Sequence, residues 1–185
     1  MSERTSTMSP AARAATPGAA APTAPNAALL VLLSTIAVGV LDGSFAIVLY
    51  VVMGSSSVAR LFQGIASALI GPVAYSGGVK TFALGVVLHF LVALAWSVIF
   101  LLALRATRII PRMLAWRFGA LDVAVWYGPL VYVVMSLALI PLFTHRVPPI
   151  TTNWIIVLIG HIPFVGLPIT LIVGRAARGW SRPAE

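Results

Sequence analysis

Three side chains that can hold or pass a proton stand inside apolar runs: Asp42 in VGVLDGSFAIV, His89 in ALGVVLHFLVALAW and His161 in IIVLIGHIPFVG. An imidazole changes charge near neutral pH, and a carboxyl group among hydrocarbon must be protonated, paired or hydrated. Two imidazoles and one carboxylate at a common depth allow three kinds of chemistry. They can hydrogen-bond one another and hold helices together, at about 0.6–2 kcal/mol per bond. They can relay a proton or an ion, as carboxylate–histidine chains do in membranes. They can ligate a metal for hydrolytic or redox work. No His-Glu-x-x-His, Gly-x-Ser-x-Gly or Gly-rich phosphate loop accompanies them. A non-enzymatic role is therefore favoured over a metal-dependent enzyme, and no cofactor is expected.

The elements that carry these groups are membrane helices. Residues 81–104 bear no formal charge, and a helix of that length crosses a hydrocarbon core of about 30 Å with its backbone satisfied internally. The whole chain of 185 residues is 60% hydrophobic and 9% charged, against about 25% charged for a soluble domain. The expected fold is an all-α integral membrane protein, a four-helix bundle with spans at 28–53, 80–104, 121–143 and 153–174. Residues 58–76 are too short in their apolar part, and too interrupted by Gln63, Gly64, Gly71 and Pro72, to read as a full crossing, so a re-entrant or interfacial helix is expected there. An Ala/Pro/Thr-rich disordered tail at 1–27 and a basic tail at 176–185 flank one transmembrane domain. Counting rise along each helix puts Asp42, His89 and His161 within about 5 Å of the midplane.

Small residues set the expected packing. Gly39 and Gly43 sit four apart beside Asp42, and Gly85, His89, Ala93 and Ser97 form one row at i+4 steps. Pro129 is expected to kink the third span, and Pro163 and Pro168 to break or bend the fourth around His161. Asp122, in the first turn of the third span, reads as a helix N-terminal charge. A faint echo runs from Leu41-Asp42 to Tyr50 and from Leu121-Asp122 to Tyr132, each followed by a helix with a central histidine. A parallel repeat of two helix pairs would produce it.

The net charge of +8 does not point to nucleic acid, because the basic residues lie between and after the apolar runs. With four spans, the N-tail, the 105–120 loop and the C-tail hold nine Lys and Arg residues against three on the other side, which places both termini in the cytoplasm. Arg105, Arg108, Arg112 and Arg117 suit an interface with anionic lipid headgroups. The absence of cysteine excludes disulfides and thiolate chemistry. Four helices are expected to enclose only a narrow polar site, a wider one calling for a homo-oligomer.

The strings RLFQGIASALIGPVAYSGG, ALGVVLHF, YGPLVYVVMSLALIPL and HIPFVGLPI resemble those of small bacterial inner-membrane proteins of unknown function related to the YagU-like proteins, over about residues 35–175. The resemblance implies a four-span protein of the bacterial inner (plasma) membrane and brings no activity or site with it.

Overall fold

Helices account for nearly all of the computed structural model, which describes residues 26–179. The expected disordered tail falls almost wholly outside the described residues, as does the end of the basic tail. Helix α1 (Ala27–Ile47) starts on Asn26, whose side-chain oxygen accepts the N–H of Ala28, and runs into a π turn at Val48–Val52. Helix α2 (Val58–Ile70) is capped by the Ser57 hydroxyl, which accepts the N–H of Arg60, and ends at Gly71. There φ is 73°, a conformation that favours glycine, and a 3₁₀ segment follows at Gly71–Ser76. Helix α3 (Gly78–Ala106) is the longest, and the short α4 (Ile109–Leu114) follows it. Helix α5 (Gly119–Val134) passes through a π turn at Met135–Leu139 into α6 (Ile140–Thr144). The last stretch comprises α7 (Thr152–His161), a π turn at Ile162–Gly166, α8 (Leu167–Ile172) and a 3₁₀ end at Val173–Gly179.

Five of the resulting helices are long and apolar enough to cross a membrane: Ala27–Val52, Val58–Ser76, Gly78–Ala106, Gly119–Thr144 and Thr152–Ala176. Val58–Ser76 is the shortest and least apolar of them. Large apolar side chains such as Leu32, Val87, Leu102, Trp126 and Ile159 are exposed, which suits a lipid surround and would be an aggregation hazard in water.

Interhelix contacts fix the directions. Ser34 and Ser97 share a buried hydroxyl hydrogen bond of 3.0 Å, and Gly39 lies against His89, so α1 and α3 run antiparallel and the end of α1 is level with the start of α3. The intervening segment folds back on itself: Tyr75 stacks under the Arg60 guanidinium and comes beside Gly64, and the Gln63 amide donates to the carbonyl of Gly78 at 3.1 Å. Helix α5 reaches α3 through Tyr127, whose hydroxyl donates to the Trp96 carbonyl at 2.6 Å. The last helix is antiparallel to α5, since Thr170 donates to Ala120 O while Gly128 faces His161.

The core occupies one end of this bundle. Val31, Trp96, Phe100, Leu104, Val123, Tyr127, Ile169 and Val173 pack together there, with Ile110, Met113 and Leu114 of α4 closing it from below. In sequence terms that is the first half of α1 and α5 and the second half of α3 and the last helix.

The last helix is not broken at its prolines. It continues from Thr152 to Ala176, and the irregularity expected from Pro163 takes the form of the π turn. Pro163 has no N–H for Ile159 O; that carbonyl accepts from Ile162 instead, while Leu167 donates five residues back to Ile162. Pro168 lies buried one residue inside α8. Helix α5 likewise carries Pro129 in its interior, and the irregular turn lies beyond it, at Met135–Leu139.

Candidate functional site

At the opposite end from the core, the helices part around a cavity of about 810 Å³. Asp42, His89 and His161 all line it. The expectation of a narrow site in a single chain therefore gives way to a cavity of ligand size, within the range of roughly 300–1,000 Å³ usual for small-molecule sites, formed by one copy. Its wall is mostly apolar and aromatic, and it includes residues of α1, α2, α3, α5, α6, α7 and the π turns.

The histidines are held by backbone carbonyls, not by Asp42 or by each other. A carbonyl oxygen only accepts, so His89 donates from Nε2 to Gly39 O at 3.0 Å, and His161 donates from Nδ1 to Val157 O at 2.8 Å. Each neutral ring keeps its other nitrogen as an acceptor. His89 is wedged edge-on between Phe62 and Phe90, and its Nε2 lies where a side chain on Gly43 would begin, 3.4 Å away. A Cβ on Gly39 would run into the Phe90 ring. Gly39 and Gly43 thus form the seat on α1 for the His89–Phe90 corner of α3. Along the same row of α3, Gly85 meets the backbone carbonyl of Phe62, Ala93 is buried in the core, and Ser97 bonds Ser34.

His161 faces Tyr132, with ring centroids 4.7 Å apart, and lies within electrostatic reach of both Asp42 and His89. Asp42 makes no hydrogen bond or ion pair among the described residues, and no three acidic, histidine or cysteine groups there stand close enough to hold a metal ion. The three-ligand metal arrangement and the mutual hydrogen-bonding arrangement are therefore both absent from the geometry. What the geometry provides is a half-buried carboxyl and a half-buried imidazole on one wall, with a second imidazole that locks two helices.

Further groups on this wall are not marked as site residues by any motif. Tyr50 and Tyr132 line the cavity, and Tyr50 is within electrostatic reach of both Asp42 and Tyr132. Ser136 also lines it, only 4% exposed, with a hydroxyl that has no hydrogen-bond partner. The signal for these was spacing: Asp42, Ala46 and Tyr50, and likewise Tyr132, Ser136, Ile140 and Thr144, recur at i+4 and all reach the cavity.

The basic residues lie elsewhere. Arg105, Arg108, Arg112 and Arg117 are exposed at the core end, in the last turn of α3 and around α4, with the Arg117 guanidinium 4.4 Å over the Phe118 ring.

His89 should respond to replacement according to whether the new side chain can still donate to Gly39 O. His89→Ala removes an interhelix hydrogen bond and is expected to lower stability by about 1 kcal/mol, whereas His89→Gln, whose amide reaches for the same carbonyl, loses less than half of that. Reversible unfolding in mixed micelles measures both. Equal losses would show that the bond to Gly39 contributes nothing.

No family model, curated protein or solved structure matches the chain, so its chemistry is read from this geometry.

Proposed function

We propose that the chain is a four-span inner-membrane protein of transport type that takes a membrane-soluble small molecule into its cavity, with protonation of Asp42 and His161 linked to occupancy. The observation that carries this reading is the convergence of Asp42, His89 and His161 on the wall of one cavity of about 810 Å³. The Nε2–H of His89 ties α3 to α1, whereas the bond of His161 stays within its own helix, so a change of charge at Asp42 or His161 disturbs no hydrogen bond between helices.

The antiparallel register of α1 and α3 supports four spans over five. A segment joining the end of one helix to the level start of an antiparallel partner must leave and return on one side, as a re-entrant α2 hairpin does. Both termini then share a side with the arginines around α4, and the nine-to-three bias of basic residues makes that side cytoplasmic. On this reading those arginines meet anionic headgroups, and the cavity lies in the outer half of the membrane.

Because the chain has no cysteine, single cysteines test the reading directly. Ala46→Cys and Ala95→Cys should react with a charged thiol reagent at least about tenfold faster than Val87→Cys, which faces outward. Ser56→Cys and Ser76→Cys should both be labelled from outside intact cells. Cavity cysteines as slow as the outward one would show a sealed polar cluster that serves packing alone. Labelling of Ser56 and Ser76 from opposite sides would replace four spans by five.

A further inference from the structure

The polar and aromatic groups on the otherwise aliphatic cavity wall are electron-rich. Asp42 is its one acidic residue, and no lysine or arginine lines it. The two imidazoles spend their N–H groups on Gly39 O and Val157 O, so in their neutral forms they offer only lone pairs to the interior. Tyr50, Tyr132, Trp96 and Phe62 add aromatic rings to the same wall, and ring faces attract cations. Ser136 contributes a buried, unpartnered hydroxyl whose oxygen can accept as well as donate.

A carboxylate with no ionic or hydrogen-bonded partner is costly to keep charged near the middle of a membrane. Two things relieve it there, a proton or a cation. An anion would meet the carboxylate with nothing to compensate it. A small hydrated metal ion would need several oxygen ligands, which this largely apolar wall does not supply. A cation whose charge is spread over an aromatic or alkyl body satisfies the carboxylate and the apolar wall together, and a cavity of this volume has room for one.

We propose that the ligand of this cavity is a lipophilic organic monocation, held by the Asp42 carboxylate among the aromatic rings and exchanged against the Asp42 proton. The inference rests on the reading of the cavity as a ligand site and specifies what it takes. The groups facing Asp42 that can also titrate are Tyr50 on its own helix, His89 on α3, Tyr132 on α5 and His161 on α7; α2 contributes none to the wall. On binding, the carboxyl O–H breaks and its proton passes to water, while the cation takes up the ion pair. Protonation of His161 next to the site opposes cation binding as well, so acid weakens the complex by both routes.

The test uses the full chain in lipid nanodiscs with tetraphenylphosphonium as probe and tetraphenylborate, its anionic counterpart in shape, as control. Equilibrium dialysis at about pH 8 should show saturable binding of the cation, at least about tenfold weaker at about pH 5.5. In weakly buffered solution, binding should release up to one proton. Asp42→Asn should lose at least about tenfold in affinity at the higher pH and keep only the part of the acid weakening that His161 carries, while Asp42→Glu keeps both binding and its full pH dependence. Ala95→Trp, which adds an indole at a lining position on another helix from the carboxylate, should weaken binding at least about tenfold. Circular dichroism and size exclusion establish that each variant is folded. Tetraphenylborate bound as well as tetraphenylphosphonium, or Asp42→Asn binding like the wild type, overturns the proposal. If the cavity cysteines label rapidly and the cation still fails to bind, the cation class falls while the ligand-site reading stands; if they do not label, that reading itself falls.

Discussion

Gly128→Ala is expected to cost at least about 3 kcal/mol, the upper end of what overpacking does, and Gly128→Leu to leave no folded protein in detergent. The methyl group added at position 128 would sit inside van der Waals contact of the His161 carbonyl oxygen, 2.6 Å from its carbon and 3.0 Å from the Ile162 Cα. All three are backbone atoms, so no rotamer change relieves the clash. The approach is reciprocal: a Cβ on Gly166 would meet Ala124 O at 2.5 Å and Gly128 N at 3.0 Å. Two glycines, one on each helix, thus bring α5 and the last helix backbone to backbone at the level of His161, where the π turn begins. Without a hydrophobic force between helices in lipid, such close packing supplies much of the association energy. Gly64→Ala is the matched control, because its Cβ would lie at an ordinary 3.6 Å from the Tyr75 hydroxyl. Fluorescence-detected size exclusion after heating compares the two. A Gly128→Ala variant that melts with the Gly64→Ala variant would mean that the helices do not meet as described.

The helices are visible in the sequence, and which of them meet is not. An uncharged run the length of 81–104 has no stable state in lipid other than a helix, so the helices were legible as elements. The row of Gly85, His89, Ala93 and Ser97 was legible as a single face by its spacing, but not its partners: Gly85 meets α2, and His89 and Ser97 meet α1. Which helix a small residue admits depends on the whole arrangement, and no local pattern encodes that. The π turns were hidden for another reason. Pro163 announces a lost hydrogen bond but not how the freed Ile159 carbonyl is satisfied, and the turn at Val48–Val52 contains no proline or glycine. Asp42, His89 and His161 were legible as a group because charge-bearing side chains are rare in such runs. That they share a wall without bonding one another depends on the carbonyls of Gly39 and Val157, which are present in every sequence and mark nothing.

The bundle divides its labour along its length. One end holds the close-packed core and the latch from Tyr127 to Trp96; the other holds the cavity, and Trp96, Ala93 and Val131 belong to both. The floor of the cavity is therefore only as firm as the packing beneath it.

Phe100→Ala tests that dependence. Phe100 is fully buried, and its ring meets the Tyr127 ring edge-on with centroids 4.9 Å apart. In a soluble protein the substitution would cost about 3–5 kcal/mol, part of it the lost transfer of the ring out of water. A bilayer removes most of that part, because the separated helices would still bury the ring in hydrocarbon. The void and the lost aromatic pair remain, and these set the expected loss at about 2–3 kcal/mol. Leu102→Ala, two residues on and 56% exposed, exchanges a contact with lipid for another and should change stability by less than about 0.5 kcal/mol. The ratio of the two effects, read from unfolding in mixed micelles, is the measurement. Equal losses would mean that buried and outward faces of α3 are not distinguished. A large loss at Phe100 with faster labelling of Ala95→Cys in the same background would show that the core end carries the floor of the cavity.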